Sequence, residues 1–98
     1  MIQLTRNSTA NISNTASTEV LQDNNCRVAI YITNTGGNTI TIAKGVAAAV
    51  YGEGIILQSN GTWFETDSEG FKAWKGAIQI ISTAGASTIA ISETSEVS

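Results

Sequence analysis

The sequence predicts an all-β domain: a compact antiparallel β-sandwich, jelly-roll or Ig-like, of about seven to eight short strands with a polar N-terminal arm. Three observations predict it. Apolar and polar residues alternate with period two over Arg27–Asn34, Thr39–Lys44, Ala77–Ser82 and Thr88–Glu93. Gly, Asn, Asp and Ser turn signals recur about every 8 to 12 residues. Thr, Ser, Asn, Ile and Ala dominate a chain with no proline and only 13% charged residues, a composition suited to short strands with polar outer faces.

The elements follow in order. Residues 1–18 are rich in Thr, Ser and Asn, with Ile2, Leu4 and Ile12 as isolated apolar points. They read as a polar arm with an edge strand within Ile2–Thr5. The β-sandwich domain spans residues 19–93. Glu19–Gln22 reads as a short strand, and Asp23-Asn24-Asn25 as a turn, because Asn and Asp form Asx turns. Val28, Ile30 and Ile32 then alternate with Ala29, Tyr31 and Thr33, and Ile40 and Ile42 with Thr39 and Thr41. Gly36-Gly37 between them predicts a β-hairpin.

Gly45–Gly54 reads as a loop, since Val46–Val50 is too short for a stable helix. Gly54–Gln58 and Thr62–Glu65 are strands joined by a Ser59-Asn60-Gly61 hairpin turn. Thr66–Gly70 is a solvated loop. Gly76–Ser82 and Ser87–Glu93 form a second predicted hairpin across Ala84-Gly85-Ala86. Residues 94–98 read as a frayed polar tail.

Composition narrows the function. At 98 residues and 42% hydrophobic content, the chain supports one folded domain rather than disorder. The net charge of −3 and the lack of any Lys/Arg-rich run argue against nucleic acid as a partner. No apolar stretch approaches the roughly 20 residues of a membrane span. The opening Met-Ile-Gln-Leu-Thr-Arg has no apolar signal-peptide core. One cysteine, Cys26, permits no internal disulfide and suits a reducing cytosol. The absence of histidine removes Ser-His-Asp and Cys-His chemistry, so an enzyme is not expected.

Glu19-Val20-Leu21, Asn25-Cys26-Arg27 and Ile30-Tyr31-Ile32-Thr33-Asn34-Thr35-Gly36 carry a resemblance. Together with strands opening at Gly54-Ile55 and Gly76-Ala77-Ile78, and a closing Thr88–Glu93 strand, they resemble small β-rich virion proteins of tailed bacteriophages. The resemblance spans about residues 18 to 93. It implies a structural protein of the virion, made in the bacterial host cytoplasm. The role it implies is head decoration or cement: binding the major capsid protein, bridging capsid subunits on the capsid surface, and assembling as a homotrimer. The same group includes tail and fibre proteins, so a tail or fibre accessory domain, or a carbohydrate-binding β domain, is the alternative.

Few constellations could carry chemistry. Cys26 beside Arg27 could favour thiolate, but a half-buried packing residue is the plainer reading. Asp67-Ser-Glu69-Gly70 with Glu65 upstream could offer oxygens to Ca²⁺, yet it lacks the spacing of a calcium loop and reads as solvated. No metal or cofactor is expected. Three Asn-X-Ser/Thr matches, at Asn7, Asn11 and Asn60, read as chance in an Asn- and Thr-rich chain. Trp63 and Phe64 are neighbours on a strand and point to opposite faces, so one must leave the core. The candidate interface residues are therefore Trp63, Phe64, Phe71, Trp74, Leu4 and Ile12.

Overall fold

The computed structural model describes residues 2–97. Met1 and Ser98, which the expected arm and tail include, lie outside the described residues. Eight strands follow one another: β1 (Ile2–Ile12), β2 (Thr18–Leu21), β3 (Arg27–Asn34), β4 (Ile40–Lys44), β5 (Ile55–Leu57), β6 (Thr62–Thr66), β7 (Ile78–Ser82) and β8 (Ser87–Val97). They form two four-stranded antiparallel sheets, one ordered β1-β8-β3-β6 and the other β2-β7-β4-β5.

In chain order, only β4 and β5 are both consecutive and paired; every other connection crosses between the sheets. The pairs β1:β8, β2:β7, β3:β6 and β4:β5 make one long hairpin rolled around a core. The fold is a jelly roll. That strand order excludes the Ig-like alternative.

The core is almost pure isoleucine. The β1-β8-β3-β6 sheet contributes Ile12, Ile30, Ile32, Ile89 and Ile91, and the other contributes Ile40, Ile42, Leu57, Ile78 and Ile80. Burying one such side chain gains about 1.5–3 kcal/mol, and β-branching suits the pleated surface.

The strands fall where the alternation predicts, but the hairpins do not. Arg27–Asn34 and Ile40–Lys44 lie in different sheets, as do β5 and β6, and β7 and β8. Each predicted hairpin turn is instead a corner between layers. The apolar rows of β3 and β4 face one another across the core and cover each other, which side-by-side pairing in one sheet cannot achieve.

Gly36-Gly37 shows why the turn signal misled. Neither glycine takes positive φ, so neither serves the turn type that makes Gly-Gly a hairpin signal. Gly36 provides room instead: a Cβ there would stand 2.1 Å from Ser87 Oγ and 2.6 Å from the Thr88 backbone nitrogen. Asn60 does take positive φ, at 68°, but its turn also joins two sheets.

The expected arm and tail are also corrected. Ile2–Ile12 pairs residue for residue with Ser87–Val97, from Ile2↔Val97 to Ile12↔Ser87. Each segment supplies what the other lacks. Ile2–Ile12 and residues 94–97 are polar and weakly patterned, so the sequence alone marks only the Ser87–Glu93 part of this pair as strand, but β1 and β8 satisfy each other's facing backbone groups. Ile12, expected at an interface, is fully buried in the core.

Candidate interaction surfaces

Two buried polar side chains clamp the ends of β3. At its start, the Arg27 guanidinium is completely buried. Its Nε donates to Glu93 Oε2 at 2.7 Å, its Nη1 to the carbonyls of Trp74 and Gly76 at 2.9 Å, and its Nη2 to the carbonyl of Gln22 at 2.8 Å. One planar fork thus ties β8, the segment before β7 and the β2–β3 connection together. At the far end, Asn34 Nδ2 donates to the carbonyls of Asn38 (2.8 Å) and Leu57 (3.1 Å). Its Oδ1 accepts from Gly36 N and Ser87 Oγ.

Two of the three carboxylates considered for Ca²⁺, Asp67 and Glu65, are committed elsewhere, and Glu69 is exposed. Asp67 Oδ1 accepts from Ala73 N at 2.8 Å and from Lys75 Nζ at 3.4 Å. The Ala73 N–H, helped by Lys75, holds the Asp67 carboxyl below its ordinary range. Glu65 Oε1 accepts from Trp74 N at 2.8 Å, and its Oε2 pairs with Lys44. Both carboxylates anchor the β6–β7 connection. Among the described residues no cluster of His, Cys, Asp or Glu could hold a metal ion.

The six candidate interface residues divide evenly. Ile12 is core, and Trp63 and Trp74 are partly buried against it. The Lys44 ammonium sits 5.7 Å from the Trp63 ring and 5.9 Å from the Trp74 ring, and Trp74 Nε1 donates to the Ala77 carbonyl at 2.9 Å. These half-buried tryptophans close one part of the sandwich. Phe64, Phe71 and Leu4 are exposed. Of the Trp63–Phe64 pair, Trp63 turns inward and Phe64 leaves the core.

Sequence reasoning missed three features. Tyr31 stacks on Phe64 across the β3/β6 pair, with ring centroids 5.3 Å apart and planes 13° from parallel. The alternation already places Tyr31 opposite Ile30 and Ile32, hence outward, but only the register sets it beside Phe64. The β4–β5 loop folds back over the second sheet: Gly52 N donates to Thr41 Oγ1, and Ala49 N to Ser17 Oγ. It buries Thr41 and Ala49 and leaves Val46, Val50 and Tyr51 exposed. Cys26, expected half-buried, is exposed; the buried residue of that pair is its neighbour Arg27.

The third missed feature is the free edge of β1. It ends its sheet, so one side of an 11-residue strand has no partner strand among the described residues. Little blunts it: the strand has no proline, its one charge is Arg6, on the same side as Ala10 and Ile12, and Ile2 and Leu4 are exposed apolar residues.

The chain matches a solved structure in fold. A chain from Bacillus endospore appendages, described as a novel family of disulfide-linked pili, superposes with a TM-score of 0.58 over 99% of this chain and 88% of that one, at 14% sequence identity. No protein-family model and no curated protein matches the chain. At that identity the likeness is one of fold alone.

Proposed function

We propose that this chain is a structural protein that self-associates through its β1 edge and coats or builds a larger particle. The 11-residue edge, protected by no more than the single charge of Arg6, carries the reading, because free N–H and C=O groups in an extended row template another strand. The other end of the same sheet, β6, also has no partner strand on its outer side among the described residues. Successive strands are antiparallel, so β1 and β6 run in opposite directions. A second copy placed edge to edge then continues the antiparallel alternation without inversion.

Such a contact is heterologous: it closes into a ring or runs on as a filament, according to the rotation between copies. A closed three-membered ring on a phage head, binding the major capsid protein and bridging its subunits, is the specific role the phage-virion resemblance supports. An open filament is the second reading, favoured by the appendage-derived neighbour. The joints differ from those named for that neighbour. Within these 98 residues the single Cys26 can link copies only in pairs, so a continuous array must rest on strand pairing and packing.

Sedimentation of the purified protein tests the reading. The wild type should associate, and Ile2→Lys combined with Leu4→Lys should return it to a folded monomer, because edge charge opposes strand pairing. A wild type that stays monomeric at every concentration refutes it. Discrete trimers that co-sediment with phage heads support the capsid role, whereas open polymers support the filament.

A further inference from the structure

We propose that the outer face of the β1-β8-β3-β6 sheet binds a neutral glycan, with Tyr31 as the stacking residue. This does not rest on self-association. The cross-strand rows Thr5–Thr94–Ala29–Thr66, Asn7–Ser92–Tyr31–Phe64 and Thr9–Ala90–Thr33–Thr62 define this face. These three rows carry no charged residue; the first on this face is Glu96, opposite Gln3 one row beyond Thr5–Thr94. Neighbouring hydroxyls bond in pairs, Thr5 with Thr94 at 2.9 Å and Thr33 with Thr62 at 2.8 Å. A hydroxyl can donate once and accept twice, so each pair keeps capacity for a ligand.

The aromatic pair shapes a site on this surface. Stacked rings 5.3 Å apart on adjacent strands stand up from the sheet like two leaves. Phe64 covers one face of Tyr31. The other face walls a depression of about 380 Å³ lined by Asn7, Thr9, Thr33, Ala90 and Ser92, at the small end of the size range of small-ligand sites. Tyr31 is 42% exposed and Phe64 58%.

Each part matches one property of a pyranose. Its C–H face packs on the Tyr31 ring and the largely apolar floor of the depression, and its rim of hydroxyls needs amide and hydroxyl partners, which Asn7, Thr9, Thr33 and Ser92 supply at the edge. An extended peptide fits less well. The floor is the central strand β8, whose backbone groups are paired on both sides and cannot accept an added strand. The uncharged rows around Tyr31 match a neutral ligand, and Glu96 beyond them disfavours anionic polymers.

Affinity electrophoresis tests this, using native gels containing laminarin, hydroxyethylcellulose, galactomannan or dextran, with alginate as the acidic control. At least one neutral polysaccharide should retard the protein, and alginate should not. Tyr31→Ala should weaken that binding about tenfold or more, and Tyr31→Phe should retain most of it. Asn7→Ala, on the opposite wall, should weaken it independently. Unchanged circular dichroism and melting would show that these exposed positions leave the fold intact. Migration unaffected by all four neutral polysaccharides overturns the proposal. So does retardation that survives Tyr31→Ala, or a Tyr31→Ala variant whose only change is lost self-association, which would make the face a contact between copies.

Discussion

Arg27 spends its whole guanidinium on four acceptors, one of them charged, with no exposed surface of its own. Arg27→Ala leaves Glu93 and three carbonyls without their donor. Breaking a buried pair in this way costs about 3–5 kcal/mol, a large share of the roughly 5–15 kcal/mol that holds a domain of this size together. The urea midpoint of the variant should fall accordingly; an unchanged midpoint would contradict the clamp. Cys26 next door is exposed, so Cys26→Ser should shift stability by no more than about 0.5 kcal/mol.

Asp67 makes a pH-dependent contribution. Its carboxyl lies below the ordinary value of 3.8, chiefly because Ala73 N donates to it. A depressed carboxylate stabilises the folded state fully above its unfolded pKa, and that contribution disappears as pH falls through the lower folded value. Acid denaturation should therefore steepen below about pH 4 in the wild type, and Asp67→Asn should flatten that limb. Identical acid limbs in the two proteins would show that the carboxylate is not coupled to folding.

Among the elements, β1 and β3 show what could be read from the sequence and what could not. The alternation in β3 gave its bounds and facing correctly, with Ile30 and Ile32 inward and Tyr31 outward. Period two carries no information on which strand lies alongside, so it cannot tell β4 beside β3 from β4 across the core. β1 was nearly invisible for another reason: only Ala10 and Ile12 pack on the core, while its other residues stand exposed on an edge. The Asn25–Gly36 motif has a physical explanation too. Its Arg27, Asn34 and Gly36 are the residues that clamp β3 and let the corner approach Ser87, so they report the sandwich more directly than its use. Ile12 gives a test at this scale. Ile12→Ala should destabilise the fold by about 2–5 kcal/mol, and removing residues 1–12 by more, so a removable arm is not what this segment forms. A truncated chain that melts like the full-length protein would put β1 outside the cooperative unit.

As a whole, the molecule measures 43 × 22 × 21 Å. The long axis follows from the 11-residue β1 and β8, each about 36 Å at roughly 3.3 Å per residue. The four nested strand pairs close progressively larger loops, and β4:β5 is the only local one. Loop entropy must be lost before the outer pairs gain contacts, so refolding should fall in the millisecond-to-second range typical of β-sandwiches. Stopped-flow tryptophan fluorescence, reporting Trp63 and Trp74 as they pack, measures it. Complete recovery within microseconds would mean that the nested order does not limit folding.

The pairing of Ile2 with Val97 also fixes where anything joined to the domain must sit. Backbones paired across antiparallel strands lie only about 4.5–5.5 Å apart. A segment leading into Ile2 and one leaving Val97 therefore depart side by side from the same pole, while the β4–β5 loop folds over the second sheet. A few residues bridging that gap would close the backbone into a loop, and cutting it at the exposed Ala47–Ala48 would keep every strand whole in a reordered chain. Cargo fused at either end would be displayed at one place, beside the free edge, so the size of the fused partner becomes a means of blocking or permitting assembly.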